Sequence, residues 1–329
     1  AERISLVSSK LMTLIQKSWL SGDAELYWVT SKSVVHKSGN SLSKVLSDVC
    51  DEVYKNCPEI RNEMISRREV TGQGARARRL LSEAMIAHTT ENHFSIDGYG
   101  PERAMYEAVF RKSGIHVLAG DGAYGLELPS SRSSSWALVA KQLKELFDQS
   151  IKERLPLEQV CLVLQSPPFG LKMGLIPLLL LIEIVRRGDD LLVYEHGSLV
   201  TNVDDAIAER LIKNPNHFSV KVLNQSSESL ALLGLYSENL FRGREITEPS
   251  IVAIGKKVYN EVRSLSRYSL STKEGILDSA SKVRSSIKEA TELDVLLLET
   301  LPNAVGREPL TLGAISKTAT LTIQEISKA

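Results

Sequence analysis

At 329 residues, with 43% hydrophobic and 24% charged side chains, the chain has the make-up of an ordinary soluble protein and the length for two or three domains. Forty basic and forty acidic residues cancel, which excludes a protein that coats nucleic acid through overall charge and confines any such contact to a patch. Cys50, Cys57 and Cys161 are odd in number, and no Cys or His pair has the close spacing of a structural zinc site, so a cytoplasmic, metal-free protein is expected.

In chain order, Leu11, Leu14, Ile15 and Trp19 mark an opening amphipathic helix, and Glu25 to Val35 reads as a short strand pair. Ser41 is placed to cap a helix carrying Leu42, Val45, Leu46 and Val49, with a break near Pro58. A longer helix is expected from about Gly74 to Ala87, and another from Pro101 to about Phe110, because proline suits a first helical turn whose N–H groups lack partners anyway. Ile115 to Leu118 and Tyr124 to Leu128 read as strands around an Asp121-Gly122 turn. Ser130 to Ser135 reads as a linker, and Trp136 as the packing anchor of a helix with Val139, Leu143 and Leu146.

The segment Pro156 to Asn202 carries the clearest supersecondary pattern. Leu157, Val160, Cys161 and Leu164 form one helical stripe, and Ser166-Pro167-Pro168-Phe169-Gly170 separates it from a second helix, Leu175 to Arg187. Leu191 to Tyr194 and Ser198 to Thr201 then form a hairpin turning at His196-Gly197, where Gly197 supplies a positive φ. Two helices followed by a hairpin give the order of a winged helix. A groove-reading helix needs Arg, Lys, Asn or Gln along its exposed face, whereas Leu175 to Val185 offers only Glu183 as a charged group. The second helix therefore reads as buried, and the wing tip, Glu195 to Ser198, as acidic to neutral. Beyond it lie a helix from Asp204 to Lys213 and, at Phe218, Val220 and Val222, the alternation of a half-buried strand able to complete a sheet with the hairpin. The last third is helical at Leu230 to Tyr236, Ile251 to Leu265, Gly275 to Ala290 and Leu293 to Leu298.

The expected fold is mainly α with small β elements (α+β), divided into a mixed helical domain over 1–130, a winged-helix-like domain over 131–224 and a C-terminal helical bundle over 225–329. The longest apolar stretch, Met173 to Ile182, is interrupted by Gly174 and Pro177 and falls short of the roughly 20 residues that span a bilayer, so no membrane partner is expected. The opening Ala1-Glu2-Arg3-Ile4 has neither an initiator Met nor a signal pattern, and Leu312 to Ala329 ends without a stop signal. The chain reads as a fragment of a larger protein, its bundle truncated at the C-terminus.

The strongest functional candidate is an arginine patch, in which Arg61, Arg67, Arg68, Arg76, Arg78 and Arg79 face only Glu63 and Glu69 within the stretch. Arg76 and Arg79 are three apart and share a helix face opposite Ala77, Leu81, Ala84 and Met85. Thr71-Gly72-Gln73-Gly74 just before them can bring backbone N–H groups and a helix N-terminus to an anion. Three readings stay open: a solvated face with pairs such as Arg79 to Glu83, contact with phosphates without base reading, or docking on an acidic protein.

Several chemical-looking motifs carry no chemistry. Ile251-Val252-Ala253-Ile254-Gly255-Lys256-Lys257 lacks the Gly of a phosphate-binding loop at position 250, occupied by Ser250, and its Ser or Thr at position 257. Asp97-Gly98-Tyr99-Gly100-Pro101 lacks dinucleotide spacing and reads as a tight turn. His36, His88, His93, His116, His196 and His217 are scattered, with only His88 and His93 as possible neighbours, and no Ser, His and Asp arrangement stands out. Catalysis within these residues is not expected, and neither is a cofactor.

Asn62-Glu63, Ala75 to Met85, Gly98-Tyr99-Gly100-Pro101-Glu102-Arg103, Pro167-Pro168-Phe169-Gly170, Lys213-Asn214-Pro215 and Leu301-Pro302-Asn303-Ala304-Val305-Gly306 occur in order along the chain. With the stretches around them, from Leu42 to Glu63, Glu69 to Met85, Gly98 to Gly114, Pro167 to Pro177 and Leu293 to Gly306, they resemble the region C-terminal to the ATPase core in large bacterial P-loop proteins of phage-defence loci. These include the ATPases of bacteriophage exclusion (BREX) systems. The resemblance implies a non-catalytic accessory region of an antiviral defence ATPase, with the phosphate-binding loop, ATP and magnesium outside these residues. It also implies coupling of nucleotide state to duplex DNA or to another defence-system protein. The leading expectation is DNA-backbone contact through Arg76, Arg78 and Arg79, with docking of another defence-system subunit as the alternative, and a homo-oligomer formed through the full-length protein is a further expectation.

Overall fold

Helices form here where apolar residues recur at helical spacing, and they stop where proline, glycine or a capping side chain ends the pattern. The computed structural model describes residues 2–19, 25–29, 34–38, 42–67, 69–120, 122–129, 134–223, 227–240, 250–263 and 278–305. Over these residues the chain is mainly α, with two two-stranded sheets and one four-stranded sheet. The expected fold class is the observed one.

The first part contains α1 (Glu2–Trp19), an antiparallel pair β1 (Glu25–Val29) and β2 (Val34–Ser38), and α2 (Leu42–Val53). Ser41, the expected cap, lies outside the described residues. Helix α3 (Gly72–Ala87) starts earlier than periodicity suggests because the Thr71 hydroxyl accepts from the Gly74 N–H at 3.2 Å and caps it. Pro101 opens α4 (Pro101–Tyr106), which widens into a π-helical turn over Glu107–Arg111. Strands β3 (His116–Leu118) and β4 (Tyr124–Leu126) pair antiparallel, while Asp121 of their turn lies outside the described residues, as do 130–133 of the expected linker.

Helix α5 (Ser135–Asp148) is capped by Ser134, and Trp136 is buried in it as a packing anchor. Then come β5 (Leu155–Pro156), α6 (Leu157–Gln165), α7 (Ile176–Arg187), β6 (Leu191–Glu195), β7 (Ser198–Val200), α8 (Asp205–Lys213) and β8 (Phe218–Val222). Helix–strand–helix–helix–hairpin is the winged-helix order. Glu195 pairs with Ser198 across a two-residue turn in which His196 and Gly197 both have positive φ, at 49° and 82°, the geometry that matches strand twist. The sheet order is β5-β8-β6-β7, so β8 sits between β5 and β6 and pairs antiparallel with both.

The C-terminal part holds α9 (Ser227–Leu240), α10 (Ile251–Arg263), the helix Asp278–Glu289 and a helical run over 293–304 with a π turn at Leu296–Thr300. Leu265, Gly275 and residues 306–329 lie outside the described residues. Two apolar cores result. The larger includes Ile65, Leu81, Phe110, Phe147, Leu164, Leu178, Val193 and Val220, so elements on both sides of the linker share it. The smaller joins Leu192 and Tyr194 to Tyr236, Ile254, Val283 and Leu297. Leu191 and Val193 thus face one core while Leu192 and Tyr194 face the other. Strands β6 and β8 are buried on both sides, and the expected half-buried strand at Phe218 to Val222 is covered because the bundle lies over its outer face.

Candidate functional site

The expected arginine patch is built on the loop before α3 and on α3 itself. Arg61 lies 2.7 Å from Glu59, Arg67 lies 3.2 Å from Glu63, and Arg79 lies 2.6 Å from Glu83, the pair anticipated from their spacing. The Arg61 guanidinium holds the Glu59 carboxyl below its usual range by hydrogen bonding and charge. Arg76 is exposed on the same helix, and Arg68 lies outside the described residues. At the helix start the Gly74 N–H is already engaged by Thr71, which removes one of the donors expected to face an anion.

Arg78 points the other way. It is 8% exposed, and its Nη1 donates to the Met173 carbonyl at 3.1 Å and the Gly174 carbonyl at 3.2 Å. Its Nε has no partner, and burial pulls the guanidinium below its ordinary pKa range. This guanidinium is a bolt between α3 and the loop that links α6 to α7, not a group presented to phosphate. The signal was present in the sequence: Gly74, Ala77, Arg78, Leu81, Ser82 and Met85 form one continuous buried stripe at three- and four-residue spacing.

The same α6–α7 loop receives two further contacts. A Cβ on Gly174 would overlap the Ile65 carbonyl, and one on Gly170, whose φ is 65°, would overlap the Tyr54 ring. The Asn56 N–H donates to the Pro168 carbonyl at 3.1 Å. Between this loop and α2 lies an open cleft of about 870 Å³, lined by Cys50, Asp51, Tyr54, Lys55, Cys57 and Lys172 among others. Burial pushes the Cys57 thiol up, and nearby Lys172 partly offsets this. Sequence reasoning missed the cleft, since no local pattern links α2 to residues so far along the chain.

Helix α7 is enclosed. Every residue from Ile176 to Ile184 is buried, and Glu183 is held by Arg186 at 2.8 Å and Arg187 at 2.6 Å, with Arg187 also reaching Asp148. The wing is held too: Arg210 clasps Glu195 at 2.6 and 2.9 Å, and Arg154 donates to the Gly197 carbonyl at 3.0 Å. Arg154 also stacks 3.6 Å from the Tyr194 ring centroid and pairs with Glu292. Beside it, the buried Lys221 pairs with Asp294 at 2.7 Å and Glu292 at 3.4 Å, fixing the bundle to the sheet.

Among the described side chains, His196 and His217 lie 4.3 Å apart between ring centroids, and the other histidines are held singly. His88 contacts Glu91, His93 lies edge-on to Tyr106, and His116 accepts from or donates to Tyr106 at 2.9 Å and bonds the Thr89 carbonyl at 2.9 Å. Since that carbonyl only accepts, His116 carries its proton on Nε2 and accepts a hydrogen bond from the Tyr106 hydroxyl at Nδ1. Among the described residues no group of three His, Cys, Asp or Glu side chains could hold a metal ion. Gly255 of the false phosphate loop sits inside α10, where a Cβ would overlap the Leu293 side chain, so its role is close helix packing. Among the described residues no helix is long and apolar enough to cross a membrane. The chain matches no family profile, no curated protein and no solved structure.

Proposed function

We propose that this chain is a non-catalytic, protein-docking region whose winged-helix-like unit serves as a scaffold. The observation that carries the reading is the enclosure of α7: the helix that would enter a DNA groove is buried on all sides, and the wing beside it is tied to Arg154 and Arg210. With the bundle fixed over the outer sheet face as well, the surfaces left for partners lie outside the reading unit. On the resemblance given above, the assembly served is a phage-defence ATPase, with hydrolysis performed elsewhere in it.

A second reading, contact with the DNA backbone, has one observation in its favour. The Arg61, Arg67 and Arg79 side chains remain 71%, 54% and 42% exposed despite their carboxylate partners, and solvent-screened surface pairs of this kind hold weakly, so phosphates can displace them. Duplex-DNA binding at low and physiological salt separates the two readings. The docking reading expects weak binding with no dependence on Arg61, Arg76 and Arg79. Tight binding whose salt slope falls on replacing those three with Ala would overturn it in favour of backbone contact.

A further inference from the structure

Helix α1 leaves seven apolar residues in solvent. Ile4, Leu6, Val7, Leu11, Met12, Leu14 and Ile15 are 73%, 59%, 62%, 57%, 62%, 60% and 44% exposed, and among them Ile4, Val7, Leu11 and Leu14 follow the alternating three- and four-residue spacing of a coiled-coil seam. Placing Ile4 and Leu11 at the a positions and Val7 and Leu14 at the d positions puts Arg3 and Lys10 at successive g positions, with Lys17, which already has a partner within the chain, at the next. Glu2 is the only acidic residue of the helix. The result is an apolar seam edged on one side by a basic ridge.

We infer that α1 is one half of a helix–helix interface whose other half is an amphipathic helix with acidic residues flanking its own apolar seam. Charge complementarity selects this occupant over the others. In an antiparallel pair of two copies, Lys10 meets Lys10 and Arg3 meets Lys17; in a parallel pair, Arg3 meets Ser8 and Lys10 meets Ile15. Neither arrangement gives Arg3 or Lys10 an opposite charge. A lipid surface is better served by cations on both borders of the apolar face than by a ridge along one. An acidic partner helix satisfies seam and ridge together. The seam covers only about two heptads, fewer than the three to four that sustain a coiled coil alone, which accounts for a helix that needs a partner bearing the matching charge.

This inference rests on the protein-docking reading and names the chemistry of its partner. The test uses the whole chain and a synthetic helix of about four heptads with Leu at a and d and Glu at e and g, alongside the same peptide with Lys in place of Glu. Fluorescence anisotropy should show binding to the acidic peptide and on the order of tenfold weaker binding to the basic one, from the sign change of the flanking pairs. Reversing Arg3 and Lys10 to Glu should swap that preference, and Leu11→Asp should abolish both, with thermal melting unchanged because these three side chains are exposed and belong to neither apolar core. Equal binding to both peptides, binding to neither, concentration-dependent self-association lost in Leu11→Asp, or binding to phosphatidylserine vesicles without peptide preference would each overturn it. Failure here, with DNA binding weak and arginine-independent, removes α1 as the surface and leaves the docking reading intact.

Discussion

Arg78 and Lys221 are both long cationic side chains closed to solvent, at 8% and 4% exposure, and each joins segments far apart in sequence, yet they are satisfied by different chemistry. Arg78 takes two neutral carbonyls from the α6–α7 loop and keeps an unpartnered Nε. Lys221 takes carboxylates from Glu292 and Asp294, and a second oxygen of Asp294 stays buried without a hydrogen bond. Deleting Arg78 leaves dipoles short of a donor. Deleting Lys221 leaves the largely buried Asp294 carboxylate without its cation, while Glu292 keeps Arg154, and this is the more costly state because a buried ion loses far more hydration than a carbonyl does.

The largest effect is therefore expected at the sheet–bundle junction. Lys221→Met should destabilise the chain by about 3–5 kcal/mol in urea denaturation, and adding Asp294→Leu should recover much of the loss by removing the stranded charge. If the single variant costs no more than Arg78→Met, the junctions do not differ in the way their partners imply. At the other junction, Gly174→Ala should cost about 1–3 kcal/mol, since the new methyl group meets the Ile65 backbone rather than a movable side chain. Gly255→Ala, which meets only the Leu293 side chain, should cost less and serves as the internal control.

These junctions also mark the limit of what the sequence makes legible. Helix positions, the His196-Gly197 hairpin and the enclosed α7 were readable because each leaves a local trace: a period, a turn glycine, a run from Leu175 to Val185 whose only charge is Glu183. Arg78 was half readable, lying on the Ala77–Leu81 stripe that periodicity does expose, but its carbonyl partners at Met173 and Gly174 leave no such trace. Nothing local distinguishes Lys221 from a solvent-facing strand lysine, because its burial depends on a bundle that begins after β8. The left-handed backbone of His93, Phe94 and Ser95, at φ of 55°, 53° and 53°, was equally hidden. It is held by the packing of Phe94 against Tyr106, Phe110 and His116, and each such residue costs about 1–2 kcal/mol that no propensity anticipates.

That aromatic cluster gives a smaller, pH-dependent effect. Burial keeps His116 below its ordinary pKa, outweighing the Thr89 carbonyl, which raises it, while His93, also lowered by burial and by Arg103, adds to the depression. Tyr106, its other partner, is pushed up to about 12 by burial and stays protonated. A depressed histidine binds its proton less readily folded than unfolded. The stability it contributes is thus complete above about pH 6.5 and is lost as the pH falls from there toward the folded value. Thermal melts between pH 7.5 and 5.5 should show a decline of at most about 1.4 kcal/mol per pH unit for each such histidine, and His116→Gln should flatten it. A decline unaltered by that substitution would assign the acid sensitivity to His93 or to groups elsewhere.

The smallest effect is expected one position along from the bolt. Arg79 shares α3 with Arg78 but faces outward, where its pair with Glu83 lies in partly exposed surroundings. Arg79→Ala should cost about 0.3–0.5 kcal/mol at low salt and almost nothing at 1 M salt, because screening and side-chain entropy leave an exposed i,i+4 pair little net worth. Arg78→Ala, measured in the same buffers, should cost more and should not respond to salt, its partners being neutral carbonyls. The contrast tests whether adjacent arginines of one helix divide cleanly into a packed bolt and a surface charge. A salt-independent loss of more than about 1 kcal/mol at Arg79 would mean that its stem, and not its charge, is what α3 uses, and the outward face would then be packing surface rather than a ridge available to phosphate.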